Sequence, residues 1–84
     1  MTLIEVKDAL EKIGFQKYGK SSTKEMRKGS YCFFIQPENL FLQIYQTKDG
    51  SNAKGRSFSS EIFKPLPSKA CNNLKEVEDT IQGF

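Results

Sequence analysis

The chain has no histidine and no tryptophan, only two cysteines and three prolines in 84 residues, and no long apolar run. Each shortage removes a class of function. Without histidine there is no ordinary Ser-His-Asp arrangement and no histidine-ligated metal. Cys32 and Cys71 are far apart, form no C-x-x-C pair and are too few for the disulfide framework of a small secreted domain, so two reduced, buried thiols are expected. No segment nears the roughly 18–20 apolar residues that cross a bilayer. The charges at Glu5, Lys7 and Asp8 fall where a secretory leader would be apolar. The expectation is a cytoplasmic protein with no membrane partner, no cofactor and no metal.

What is present describes one domain, residues 1–84. A content of 37% hydrophobic and 27% charged residues is that of a folded globule rather than a disordered tail. Thr2-Leu-Ile-Glu5 is a capping box, and Leu3, Val6, Leu10 and Ile13 follow at helical spacing up to Gly14, which predicts a helix over about 3–13. Residues 15–29 read as a loop with a short irregular strand. Ser30–Thr47 reads as a β-hairpin around Pro37-Glu38-Asn39, in which a three-residue loop pairs Gln36 with Leu40. That register places Cys32, Phe34, Leu40, Leu42 and Ile44 on one face. Tyr31, Phe33, Ile35, Phe41, Gln43 and Tyr45 fall on the other.

Residues 48–55 are turn-forming. Arg56–Phe63 alternates as a third strand, with Pro65 and Pro67 expected to end it. Asn73-Leu-Lys-Glu76 opens a second helix, over about 73–82, that ends at Gly83. The order is α-β-β-β-α, an α+β domain with a three-stranded antiparallel sheet and a helix at each end.

Gly14-Phe-Gln-Lys-Tyr-Gly19-Lys20-Ser21 matches the phosphate-loop pattern letter for letter. That loop needs a strand before it and a helix after it, so that backbone amides converge on phosphates. Here a helix precedes and a polar stretch follows, and the segment reads as a helix stop and a basic turn. Cys32, mid-strand between aromatic residues, has no activating neighbour. The carboxylates are scattered over helix surfaces. No catalytic constellation is present, and the chain is read as non-enzymatic.

The net charge of +3 is unevenly spread. Lys17, Lys20, Lys24, Arg27 and Lys28 precede the hairpin; Lys48, Lys54 and Arg56 follow it. In a hairpin those two segments hang from the same end, so all eight cations are expected to form one patch that neutralises phosphates. Tyr31, Phe33, Phe41 and Tyr45 share the face opposite the aliphatic one. If it is uncovered they form a stacking platform; if covered, a helix, a partner protein or a second copy in a homodimer lies on it.

Two partial resemblances carry related implications. Glu11-Lys-Ile-Gly-Phe15 at the end of the first helix, then Arg27-Lys-Gly-Ser30 and an aromatic strand closed by Pro37, resembles the first half of HicA-type mRNA-interferase toxins. That family has a histidine just after the Gly-Ser, where this chain has Tyr31 and Cys32. The resemblance therefore implies an RNA-binding-like α-β-β-β-α fold without the activity. The second strand, the following loop and Gly55-Arg-Ser-Phe-Ser-Ser-Glu-Ile-Phe-Lys-Pro-Leu66 look like the C-terminal half of the positive-cofactor-4 type of single-stranded-DNA-binding protein, whose long helix Pro65 and Pro67 would interrupt.

The sequence thus points to a small binding module for single-stranded DNA or RNA. The alternative is a protein-binding inhibitor, immunity or antitoxin-like factor that docks through the hairpin face or a sheet edge.

Overall fold

The computed structural model describes residues 2–84. Helix α1 (Leu3–Ile13) starts at the expected capping box: the Glu5 amide donates to the Thr2 hydroxyl at 3.2 Å, and the Thr2 amide donates to the Glu5 carboxylate at 3.3 Å. It stops at Gly14, whose φ of 127° is open only to glycine without strain. Helix α2 (Leu74–Gln82) is capped by Asn73, which accepts from the Glu76 amide at 2.9 Å. The return arm differs from a true capping box, since the Glu76 carboxylate reaches past Asn73 to the Asn72 amide at 2.8 Å.

Between the helices lie five strands: β1 (Gln16–Lys17), β2 (Lys24–Lys28), β3 (Tyr31–Gln36), β4 (Phe41–Thr47) and β5 (Phe63–Ala70). They form one antiparallel meander in the order β1-β2-β3-β4-β5. The α+β class is as expected, but the sheet has five strands rather than three. β2 escapes a hydrophobic-pattern reading because four of its five residues are charged. Its alternate side chains are satisfied by partners instead of by apolar burial.

The third predicted strand is also displaced. Residues 56–62 belong to a long loop, and the strand is Phe63–Ala70, which contains the two prolines expected to end it. β5 is an edge strand, where proline is tolerated if its nitrogen faces away from the ladder. The Lys48 amide donates to the Ile62 carbonyl and the Cys71 amide to the Leu40 carbonyl. That phase turns the nitrogen of Pro65, opposite Tyr45, to the open side, and Pro67 falls in the bulge between Leu42 and Ile44.

The β3–β4 hairpin is closed by four residues, not three. Gln36 pairs with Phe41, and Leu40 rather than Asn39 takes the left-handed position, at φ 55°. Asn39 instead uses its side chain, accepting from the Phe41 amide at 3.1 Å. One residue of register moves the whole of β3 to the other face relative to β4. Burial explains the choice: Phe33, Ile35, Leu42 and Ile44 now share one face, where Leu10 of α1 and Val77 and Ile81 of α2 cover them. Leu40 packs against the same cluster, which offsets the cost of its backbone.

The opposite face carries Cys32, Phe34 and Tyr45. It is covered by the 48–62 loop through Ala53, Phe58 and Ile62, together with Phe63 of β5. Arg27 fastens that loop. Its guanidinium donates to the carbonyls of Ala53 and Arg56, pairs with Glu25 at 3.3 Å and stands 5.6 Å from the Phe63 ring centroid. The sheet is therefore sandwiched between two helices and one ordered loop.

Candidate nucleic-acid interface

The eight cations do not form one patch. β2 runs the length of the sheet, so residues 16–28 reach both of its ends. Arg27, Lys28, Lys48, Lys54 and Arg56 lie towards the end opposite Pro37, where the Ala53 amide donates to the Gly29 carbonyl at 2.8 Å. Several of these charges are already engaged. Arg27 is the loop fastener, and the Lys28 ammonium donates to the Ile81 carbonyl at 3.0 Å, which satisfies the C-terminal end of α2. Arg56 pairs with Asp49 at 3.4 Å and donates to the Ser51 hydroxyl. Lys48 and Lys54 remain exposed.

Lys17, Lys20 and Lys24 gather at the Pro37 end. The Tyr18 amide donates to the Thr23 carbonyl at 3.0 Å, which closes a turn between β1 and β2. The Ser22 hydroxyl donates to the Glu38 carboxylate at 2.8 Å and ties that turn to the β3–β4 loop. This hydrogen bond, the Glu38 amide and the nearby Lys7 hold the Glu38 carboxyl below the usual carboxylate range. The phosphate-loop look-alike is thus a helix stop followed by a β-turn, with Gly19 at φ 60° and no helix after it.

Lys17 and Lys24 are directly paired across β1 and β2, so they project on one side of the sheet. With Lys7 of α1 and Lys20, Ser21 and Ser22 of the turn they line an open hollow of 370 Å³. Lys24 is nearly buried and pairs with Glu11 at 3.0 Å; Lys17 and Lys20 are exposed. Lys7, Lys17 and Lys20 bring ammonium donors for phosphate oxygens to this depression, whereas the Ser21 and Ser22 hydroxyls donate to the Tyr18 carbonyl and the Glu38 carboxylate.

The expected stacking set is divided by the register. Phe33 is fully buried under the helices, and Tyr31, on the same face, packs its ring 4.8 Å from that of Phe84. Phe41 and Tyr45 lie on the loop-covered face, both half-buried. There Tyr45 joins rings that the sequence reading did not single out: Tyr18, Phe34 and Phe58.

Phe34 and Phe58 meet edge to face at 4.8 Å, Tyr45 and Phe58 at 4.8 Å, and Tyr18 and Phe34 at 4.9 Å. With Gln43, Ser21 and Thr23 they line a second hollow of 240 Å³. Its floor is Phe34, 5% exposed, and one wall is Tyr18, 41% exposed. Ser21 borders both hollows, so a lysine-lined depression on the helix side of the sheet and an aromatic-lined one on the loop side meet around a single turn.

Other chemistry is sparse. Among the described residues, no three Cys, Asp or Glu side chains converge as metal ligands, and no helix is long and apolar enough to cross a membrane. The Cys32 thiol is pushed up to about 12 by burial and by the Glu25 carboxylate beside it. Burial also raises Cys71. Both are free thiols held in the unreactive form. No protein-family model, curated protein or solved structure matches this chain.

Proposed function

We propose that the chain is a non-enzymatic nucleic-acid-binding module whose contact surface is the β1–β2 turn and the two hollows beside it. The observation that carries this reading is the shared Ser21 border, where a lysine hollow on one face of the sheet and an aromatic hollow with exposed Tyr18 on the other meet around one turn. Binding modules for nucleic acid combine those two elements, charge along the backbone and rings for the bases.

The cations assigned to the interface are Lys7, Lys17 and Lys20, with Lys24 held in place by Glu11. Arg27 and Arg56 are assigned to the fold, because their guanidinium groups are taken up by loop contacts. The rival reading is an inhibitor, immunity or antitoxin-like factor that docks through the hairpin face or a sheet edge, and of these surfaces the β5 edge is the less suited. Pro65 turns a nitrogen without hydrogen to the open side there, and Pro67 disrupts the adjacent ladder, so the middle of that edge offers a docking strand fewer donors.

The test is a titration of labelled single- and double-stranded DNA and RNA at two salt concentrations. Binding is expected to weaken steeply with salt and to be lost in the double variant Lys17→Glu, Lys20→Glu. The matching change at the far end, Lys48→Glu with Lys54→Glu, should have a much smaller effect. If no oligonucleotide binds at low salt, the reading is wrong and a protein partner takes its place.

A further inference from the structure

We infer that this surface takes single-stranded nucleic acid, seating one base in the aromatic hollow while the strand passes over the β1–β2 turn to the lysines on the other face. The inference rests on the nucleic-acid reading above and specifies its ligand.

Three features of the hollow select an unpaired base. Its apolar surface is ring surface, with buried Phe34 as floor and Tyr18, Tyr45 and Phe58 around it. A flat π system finds favourable contact there whatever its identity. The rim carries hydrogen-bonding groups, the Gln43 amide and the Thr23 hydroxyl, while the Ser21 hydroxyl is held by the Tyr18 carbonyl and the Thr23 amide. An amide offers both donor and acceptor to a base edge. Finally, Ser21 also borders the lysine hollow on the other face of the sheet, so a flexible strand that passes over the turn can bring a base to the rings and a neighbouring phosphate to the lysines.

A duplex satisfies only half of this arrangement. Its phosphates would meet the lysines, but its bases are stacked on one another and present only their edges in the grooves, leaving the rings without a partner. A base already free of a duplex carries no unpairing cost.

The experiment compares, on the native chain at low salt, a short thymidine oligonucleotide, a duplex of equal length and an abasic strand of equal length. The abasic strand keeps the phosphates and lacks the bases. Thymidine strands are expected to bind about tenfold or more tighter than either of the others, the scale of one stacked base. They should also quench tyrosine fluorescence, which comes from three residues in a chain without tryptophan, two of them at the hollow.

Tyr18→Ala should bring the thymidine strand down to abasic affinity with only a modest fall in melting temperature, from the lost edge-to-face contact with Phe34. Equal binding of thymidine and abasic strands, or tighter binding of duplex, would overturn the single-strand inference while leaving the nucleic-acid reading intact. Absence of all binding would remove both. Since the abasic comparison needs no variant, it decides the matter even if Tyr18→Ala fails to fold.

Discussion

Replacing Arg27 with methionine should unfasten the 48–62 loop while keeping an apolar stem in place. The native guanidinium donates to the carbonyls of Ala53 and Arg56, pairs with Glu25 at 3.3 Å and faces the Phe63 ring. The side chains of the ion pair are only 16% and 21% exposed, so solvent screens them little. Each hydrogen bond to a charged donor contributes about 1.5–3 kcal/mol. Against this stand the desolvation of the guanidinium and its Nε, which is buried without a hydrogen-bond partner.

The net loss expected is about 3 kcal/mol, less than the sum of the contacts. For a domain of this size it corresponds to a fall in Tm of roughly 12–24 °C. Urea unfolding gives the free energy, and amide hydrogen exchange locates it. Ala53, Arg56 and their neighbours should lose protection well before β3 and β4 do. A loss below about 1 kcal/mol, or protection lost first under the helices, would refute the role given to Arg27.

Two further outcomes follow from the same geometry. In the native state neither Cys32 nor Cys71, 0% and 6% exposed, should react with a thiol reagent at mildly alkaline pH, and both should react after denaturation. Rapid native labelling of Cys32 would contradict its burial and its raised pKa. Asp49 is lowered from its ordinary 3.8 to about 2, first by the Ser51 hydroxyl, then by the Ser51 amide and Arg56. A depressed carboxylate contributes stability that is present above 3.8 and is lost as pH falls through about 2. NMR titration of its carboxyl carbon should find that low midpoint, and Ser51→Ala should raise it. A native midpoint near 3.8 would show that the Ser51 contacts do not form in solution.

Much of the architecture was legible because it rests on strong local signals. Thr2, Gly14 and Asn73 mark helix ends by chemistry that does not depend on the rest of the fold, and both helices begin and end close to where the pattern puts them. The hairpin was legible as a hairpin but not in register. Pro37-Glu38-Asn39 accommodates a three- or a four-residue loop, and the choice is made by which set of side chains the helices bury, a tertiary effect.

β2 was obscured because a strand of Lys, Glu, Met and Arg shows no apolar alternation, its charges being met by Glu11, by loop carbonyls and by the end of α2. β5 was obscured because two prolines suit only an edge position, and whether a strand lies at an edge is decided by its neighbours. The candidate site followed the same division. Lys17 and Lys20 were identifiable from charge, whereas Tyr18 joins Phe34, Tyr45 and Phe58 only after the loop folds over the sheet. Lys17, Tyr18 and Lys20 around Gly19 were the one local hint that charge and ring meet there.

The central claim, that the turn between β1 and β2 carries phosphate contacts, is tested most directly by the salt dependence of single-strand affinity. The slope of log K against log salt should be shallower by about 1.4 in a Lys17→Ala, Lys20→Ala variant than in the native chain, since each lost phosphate contact on a single strand removes about 0.7. Identical slopes for the two proteins would contradict the account, even if both bind.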